Sequence, residues 1–575
     1  MNTDKKMDQA LGIRDKGSAT YGAGNEQVSI QQGLSSRAER GICNGVWSAE
    51  QKCRFLAAMA LRAIPAPRND RPTGGQGTRR GERTHAASSL TPNPQPLTPG
   101  PFFHLCLFVF ICGCILLLPG CTRDTREQVD LLVSGGTLVT MDAAGRIVED
   151  GALAVRGDTI MAIGTRSDLE HRFRAERTIH AQGRIILPGL INAHTHAPMT
   201  LLRGVADDLA LQEWLEKYIF PAEARNVTPD FVTWGTRLAL LEMMRGGVTT
   251  YVDMYYFEDH IARATKEAGM RGVLGETILD FPVPSYKTTA EGLALTEQFL
   301  KKWQGDVLIR AAVAPHSIYT ASEQSLRESF ALARKYNAPV LIHLAETKRE
   351  LDDSRSKHRL SPVAYLDKLG LLGPDVIAAH CVWVDGADIA ALVRNGVGCV
   401  HNPSSNMKLA SGTAPVLEML AAGMRLGLGT DGPAGSNNDL NLMEEMDLAA
   451  KLQKVTRMDP RALTAKQALE MATIGGARAI HMEKEIGSLE EGKKADFILL
   501  RKDKPHAVPL FDLYSQIVYA LKASDVETMV VAGVVVMRDR HAVTLHEAEI
   551  LAKAREYGGR VKASLARPQP PSTPR

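Results

Sequence analysis

The chain has 575 residues, 44% of them hydrophobic and 23% charged, a balance ordinary for a globular body with room for a large core. Residues 1–125 hold 15 Lys and Arg against 9 Asp and Glu, which leaves 53 against 56 for the remainder. That slightly acidic body gives no electrostatic case for nucleic-acid binding.

Residues 1–100 show no sustained helical or strand period. They are rich in Pro, Gly and Ser, as in "SSLTPNPQPLTPGP", and are expected to be disordered, or a translated leader if the true start lies downstream. Residues 101–121, "PFFHLCLFVFICGCILLLPGC", form an uncharged apolar run long enough to cross a bilayer. The run ends Leu118-Pro119-Gly120-Cys121, similar to a bacterial lipoprotein signal with Cys121 as the lipid anchor, although its basic residues, Arg79, Arg80 and Arg83, lie far upstream. Attachment to a membrane through this segment is the expectation, and a cytoplasmic location follows if translation starts later. Cys106, Cys112, Cys114 and Cys121 crowd this run, Cys43 and Cys53 precede it, and only Cys381 and Cys399 belong to the body. That spacing is neither a disulfide framework nor a thiolate zinc site.

Residues 126–183 are strand-rich with Gly and Asp turns, and so are residues 485–545. Neither stretch suffices for a core alone, so one composite β-sandwich built from both is expected. Between them, residues 184–484 alternate apolar strand-like runs with amphipathic helical stretches. The runs are "RIILPGLINAH", "GVTTYVDM", "RGVLGETI", "VLIRAAVAPH", "APVLIHLAE", "DVIAAHCV", "NGVGCVHNP" and "MRLGLGTDG". Eight beats point to an α/β fold of the (β/α)8 barrel type, a doubly wound open sheet being the rival. Residues 546–575 read as a helix and a Pro-rich tail.

A barrel of this kind carries its chemistry at the C-terminal ends of its strands. Those ends present His194 and His196, then His316, then His343 with Glu346, then His380, and finally Asp431. Histidines at i and i+2 on a strand share a face. His194, His196, His343 and Asp431 offer three neutral nitrogens and a carboxylate, a donor set for one divalent ion of the zinc type, iron and manganese being alternatives. Each of these residues alone is more often structural, and the case rests on their common address.

The segments "PGLINAHTH", "HLAET", "AAHCV" and "LGTDGPAGSNN" resemble the amidohydrolase superfamily, over roughly residues 126–545. Within it the chain looks most like the 5′-methylthioadenosine/S-adenosylhomocysteine deaminases and their chlorohydrolase-like cousins. The resemblance implies a single metal, because His316 stands where dinuclear relatives carry a bridging lysine. It implies that Glu346 protonates the ring nitrogen beside the attacked carbon, that Asp431 takes and returns the water proton, and that His380 orients the water. It also implies that Glu223 binds ribose hydroxyls and that His316 contacts substrate, with Glu346 and Asp431 completing the substrate-binding set. Such an ion brings the pKa of a bound water to about 7.

One departure stands out. Relatives that handle S-adenosylhomocysteine place arginines near the third strand, whereas "GVLGETILDFPVPSYKTTAEG" offers Glu276 and no arginine, with Lys287 as the substitute cation. An acid facing the pocket there would repel a substrate carboxylate. The implied reaction is therefore hydrolytic deamination of an adenine nucleoside, 5′-methylthioadenosine or adenosine before S-adenosylhomocysteine. Two alternatives remain open: a hydrolase of another amino- or chloro-heterocycle (triazine-, guanine- or cytosine-like), and a membrane-tethered binding protein without catalysis. The expected partners are a small heterocyclic substrate, no nucleic acid, a membrane through residues 101–121 and, in the homo-oligomeric alternative, a second copy of the chain.

Overall fold

The structure, a computed structural model, describes residues 124–566. The expected disordered leader 1–100, the apolar run 101–121 and Cys121 lie outside the described residues. Among those described, no helix is long and apolar enough to cross a membrane.

The chain opens with five strands, β1 (Glu127–Val139), β2 (Ile147–Arg156), β3 (Thr159–Thr165), β4 (Phe173–His180) and β5 (Arg184–Pro188). The β2–β3 hairpin turns through Gly157, whose φ of 58° no side chain favours. Eight parallel strands follow: β6 (Leu190–Thr195), β7 (Val248–Tyr255), β8 (Arg271–Ile278), β9 (Ile309–Pro315), β10 (Val340–Leu344), β11 (Val376–His380), β12 (Gly398–His401) and β13 (Arg425–Leu428). The last strands, β14 (Phe497–Arg501), β15 (Val526–Val531), β16 (Val534–Arg538) and β17 (His541–Ala542), return to the first group. Among the helices, α1 (Phe220–Asn226) follows β6, α2 (Glu258–Glu267) follows β7, α3 (Lys348–His358) follows β10, α4 (Leu442–Arg457) follows β13, and α5 (Glu547–Leu565) ends the described chain.

The eight parallel strands run in order from β6 to β13 and close where Thr195 bridges Asp431, with Asp431 N donating to His194 O at 3.0 Å. Every residue of β7 and β8 is buried, as expected when helices cover the outside and side chains fill the inside. Ile191, Ala193, Val252, Val273, Ala312 and Leu341 belong to the interior cluster, and Ile474, Ala477 and Ile480 continue it.

The two end segments form the companion domain as a single mixed sheet of nine strands. The seam is the antiparallel pair β5–β14, Ile185 opposite Leu500 and Leu187 opposite Ile498. Apolar side chains lie on both faces: Leu131, Val133, Leu153 and Phe497 in one cluster, Leu132, Ala154, Leu169 and Phe173 in another. Cys381 and Cys399 are free thiols, both buried.

The run "RIILPGLINAH", expected to be one barrel strand, is two. Residues 184–188 pair with β1 and β14 in the companion sheet, and residues 190–195 pair with β7 in the barrel. Pro188 is the last residue of β5, and Gly189 makes the crossing: a Cβ there would lie 2.0 Å from Thr249 Oγ1. Asp496 ties the junction, accepting Arg271 Nε at 2.8 Å in a buried ion pair and Ala532 N at 2.7 Å, while its carbonyl accepts Gly189 N.

Candidate active site

The residues expected at the strand ends do meet at one mouth. His194 is the penultimate residue of β6 and His196 directly follows the strand, His343 lies in β10, and Asp431 follows β13. Asp431 Oδ1 lies 3.4 Å from His194 Nε2 and 3.3 Å from His196 Nε2, and the Nε2 atoms of His196 and His343 are 3.3 Å apart. The outer nitrogens are tied back: His196 Nδ1 donates to Met254 O at 2.7 Å and His343 Nδ1 to His316 O at 2.9 Å. Such bonds fix the tautomer and turn the Nε2 lone pairs inward. His194 Nε2 is buried and has no hydrogen-bond partner. A polar nitrogen left in that state calls for something to bind. Three imidazoles and a carboxylate suit a divalent ion of the zinc type, so the donor set fits the group the sequence implied.

The shifts at His194, His343 and Asp431 agree with that reading. Burial pushes His194 down to about 4, and burial beside His316 and His194 pushes His343 well below the usual imidazole range. Burial also opposes charge on His196, but Asp431 outweighs it and raises that imidazole to about 9. Despite burial, the close approach of the His194 and His196 imidazoles holds Asp431 well below the usual carboxylate range. Asp431 is thus an anion at neutral pH. Its backbone φ of 64° is left-handed, and its second oxygen accepts Ser405 Oγ at 2.6 Å.

His380 stands as close to the centre as the expected ligands: its ligand atom and those of His194, His343 and Asp431 all lie within 4.8 Å of one another. Its Nδ1 donates to Asn406 Oδ1 at 3.0 Å, so Nε2 faces inward, 3.9 Å from Glu346 Oε2. Glu346 is held by its own backbone N–H, which donates to Glu350 of α3 at 2.8 Å. Burial raises the Glu346 carboxyl above its ordinary range, with His380 opposing the rise. His316, whose Nδ1 lies 3.0 Å from Thr320 Oγ1, is pushed by burial to about 3 and is a neutral ring.

Glu223 comes from α1 and lines the same pocket from the other side. The Tyr255 hydroxyl donates to it at 2.7 Å and the Tyr256 hydroxyl at 3.5 Å. Burial raises it to about 7, the two hydroxyls limiting the rise. The helix ahead of it takes a π-helical turn over Trp214–Ile219, and Trp214, Leu215 and Ile219 wall the pocket. Beyond the Glu223–Tyr256–Tyr319 rim lies an outer chamber of about 750 Å³, lined by Phe281, Pro282, Val283, Glu216 and Lys287 among others.

Glu276 corrects an expectation. It lies on β8 but is not part of the pocket wall. It is buried, and its carboxylate accepts the N–H groups of Phe257 and Glu258 at 3.2 and 2.8 Å. The repulsion expected between it and a substrate carboxylate therefore does not arise. Tyr255, Tyr256, Ser405 and Asn406 escaped the reading from sequence. Two tyrosines at the end of an apolar strand look like core, and only their hydroxyl partner separates them from it.

With this geometry in hand, the chain can be set beside known proteins. The amidohydrolase family matches residues 185–536. A protein of Syntrophus aciditrophicus (strain SB) named 5-methylthioadenosine/S-adenosylhomocysteine deaminase 1 is 48% identical, the match covering 77% of this chain and 100% of that one. The zinc-bound crystal structure of an adenosine deaminase from Xanthomonas campestris is 38% identical with a TM-score of 0.75, over 76% of this chain and 100% of that one. A zinc complex of the atrazine chlorohydrolase of Arthrobacter aurescens is 25% identical with a TM-score of 0.69, over 74% and 100%. The chain is a hydrolytic enzyme acting on carbon–nitrogen bonds, and it belongs to the amidohydrolase family.

Proposed function

We propose that this chain deaminates an adenine nucleoside by hydrolysis, with 5′-methylthioadenosine and adenosine as the leading substrates and S-adenosylhomocysteine as a third. The observation that carries the reading is the grouping of His194, His196, His343 and Asp431 around one point, with Glu346 and His380 beside it and Glu223 across the pocket. In the proposal the first four residues hold a divalent ion, zinc for preference, with His380 close enough to join them. Such an ion, when bound, activates water as a nucleophile at neutral pH. Asp431, an anion at that point, accepts a proton from the attacking water and passes it to the departing amine. Glu346 donates its proton to the ring nitrogen next to the attacked carbon, neutralising charge that would otherwise build up in the ring. Water and the amino-purine thereby yield the oxo-purine and ammonia.

Glu223 accepts the ribose hydroxyls, and Tyr255 and Tyr256 hold it for that task. The outer chamber receives whatever the nucleoside carries at its 5′ end. Its Phe281 and Val283 side suits a thioether, and Lys287 gives a carboxylate an opposite charge. The buried, raised Glu346 and the Glu223 clamp favour deamination of a nucleoside over chloride displacement, which needs no sugar site.

The test is direct. Zinc-loaded protein is incubated with 5′-methylthioadenosine, adenosine and S-adenosylhomocysteine while ammonia and the ultraviolet shift of the purine are followed. Stoichiometric ammonia with the shift is expected. No ammonia from any of the three, with chloride or amine released from a substituted triazine, overturns the proposal in favour of the heterocycle-hydrolase alternative.

A further inference from the structure

Behind the mouth lie three buried carboxylates with no part in the chemistry above: Asp253, Glu258 and Glu276. Asp253 lies on β7 opposite Thr195. Its Oδ1 accepts Thr195 Oγ1 at 2.6 Å and Ala197 N at 2.5 Å, the two neighbours of His196. The carbonyl of the next residue, Met254, takes His196 Nδ1. Residues 195–197 are therefore gripped from β7 at three points.

The same strand end then presents Tyr255 and Tyr256 to Glu223 and turns into α2 through Phe257, at a left-handed φ of 58°. That turn is held by acids. Glu276 accepts the N–H groups of Phe257 and Glu258, and Glu258 Oε1 accepts Tyr255 N at 2.9 Å. Two oxygens remain, Asp253 Oδ2 and Glu258 Oε2, both buried and without another partner. Burial pushes Glu258 well above the usual carboxylate range, the neighbouring Asp253 and Glu276 adding to the rise, and it raises Asp253 to about 6. Through the backbone of residues 253–258, whose N–H groups donate to Glu258 and Glu276, the three acids form one connected set spanning β7, α2 and β8.

We infer that Asp253, Glu258 and Glu276 are positioning residues that set His196 and Glu223 from a single strand end, fixing the distance between the metal centre and the sugar clamp. The role given to Glu223 rests on the function proposed above, whereas the grip on His196 does not. Asp253 and Thr195 serve the metal limb, Glu276 serves the Tyr255–Glu223 limb, and Glu258 joins the two.

The experiment separates the limbs. Cobalt(II) is titrated into the apo forms of wild type, Asp253→Asn, Thr195→Val, Glu258→Gln and Glu276→Gln, with its visible spectrum recorded, and kcat and KM for 5′-methylthioadenosine are measured on the zinc forms. Asp253→Asn and Thr195→Val are expected to weaken cobalt binding about tenfold or more and to alter the spectrum. Glu276→Gln should leave cobalt binding within about twofold of wild type and raise KM about tenfold, as Tyr255→Phe should. Glu258→Gln should show both effects. Folded Glu258→Gln with wild-type cobalt affinity, spectrum and KM overturns the inference, as does unchanged cobalt binding in both Asp253→Asn and Thr195→Val. A wild type that turns over no nucleoside defeats the proposed function instead, and the cobalt results alone then decide the metal limb.

Discussion

Glu223 illustrates what burial does to one carboxylate. Raised by burial to about 7, it changes charge in the range where the enzyme would work. Above that value it is an anion whose two oxygens, each with a tyrosine hydroxyl, keep lone pairs to accept sugar hydroxyls, and below it one oxygen carries a proton. kcat/KM toward a ribonucleoside should therefore rise as pH climbs through about 7 and then level off. Glu223→Gln should lower kcat/KM about 10- to 100-fold, the worth of one or two hydrogen bonds to a charged acceptor, and remove that step from the pH profile. Among single residues the proposed metal ligands were the most legible in the sequence, because His194, His196, His343 and Asp431 share an address at the strand ends of one barrel. Glu276 was misread for a physical reason. On a strand buried on both faces, polarity does not say whether a side chain points to the pocket or to a neighbouring turn, and only the N–H groups of Phe257 and Glu258 decide. Asp253 was invisible for the same reason.

At the scale of elements, α4 shows how a helix behind the site governs it. Its buried Glu445 accepts Ser404 N at 3.1 Å and Asn437 Nδ2 at 2.9 Å, fixing the turn whose Ser405 holds Asp431. Burial raises Glu445 from 4.5 to about 8. As pH rises between those values the unfolded chain loses this proton while the folded chain keeps it. The folded state then binds more protons than the unfolded one, so the contribution of Glu445 to stability falls across the window. Thermal melts from about pH 5 to about pH 8 should show a declining Tm in wild type and a flatter slope in Glu445→Gln. An unchanged slope would mean that Glu445 is ionised in the folded protein. The elements themselves were mostly legible, since β8 occupies the same eight residues that the apolar run "RGVLGETI" predicted. The exception is the run split at Gly189, where hydrophobic pattern alone cannot show that one stretch serves two sheets.

For the whole molecule, the eightfold alternation was enough to read a barrel, because few other folds need so many regular repeats. What the sequence withheld was how the companion strands join into one sheet, since pairing between segments so far apart in the chain leaves no local trace. The barrel's closure and its metal centre occupy the same place: Thr195 and Asp431 bridge β6 to the segment after β13, and the proposed ligands stand on either side of that bridge. An ion there binds the folded state alone, and at a hundredfold excess over its Kd it adds about 2.7 kcal/mol. Chelation should therefore lower Tm by a few degrees, zinc should restore it, and elemental analysis should find about one equivalent of metal per chain. A melt indifferent to chelator would place no ion at the seam.

The partnership of β5 with β14 also bears on how the protein is made. Arg184–Pro188 emerges from the ribosome early, yet the edge it must cover belongs to Phe497–Arg501, which is translated only after the entire barrel. Throughout that interval β5 exposes an unpaired apolar edge, the kind of surface that chaperones shield and that stalled synthesis turns into aggregate.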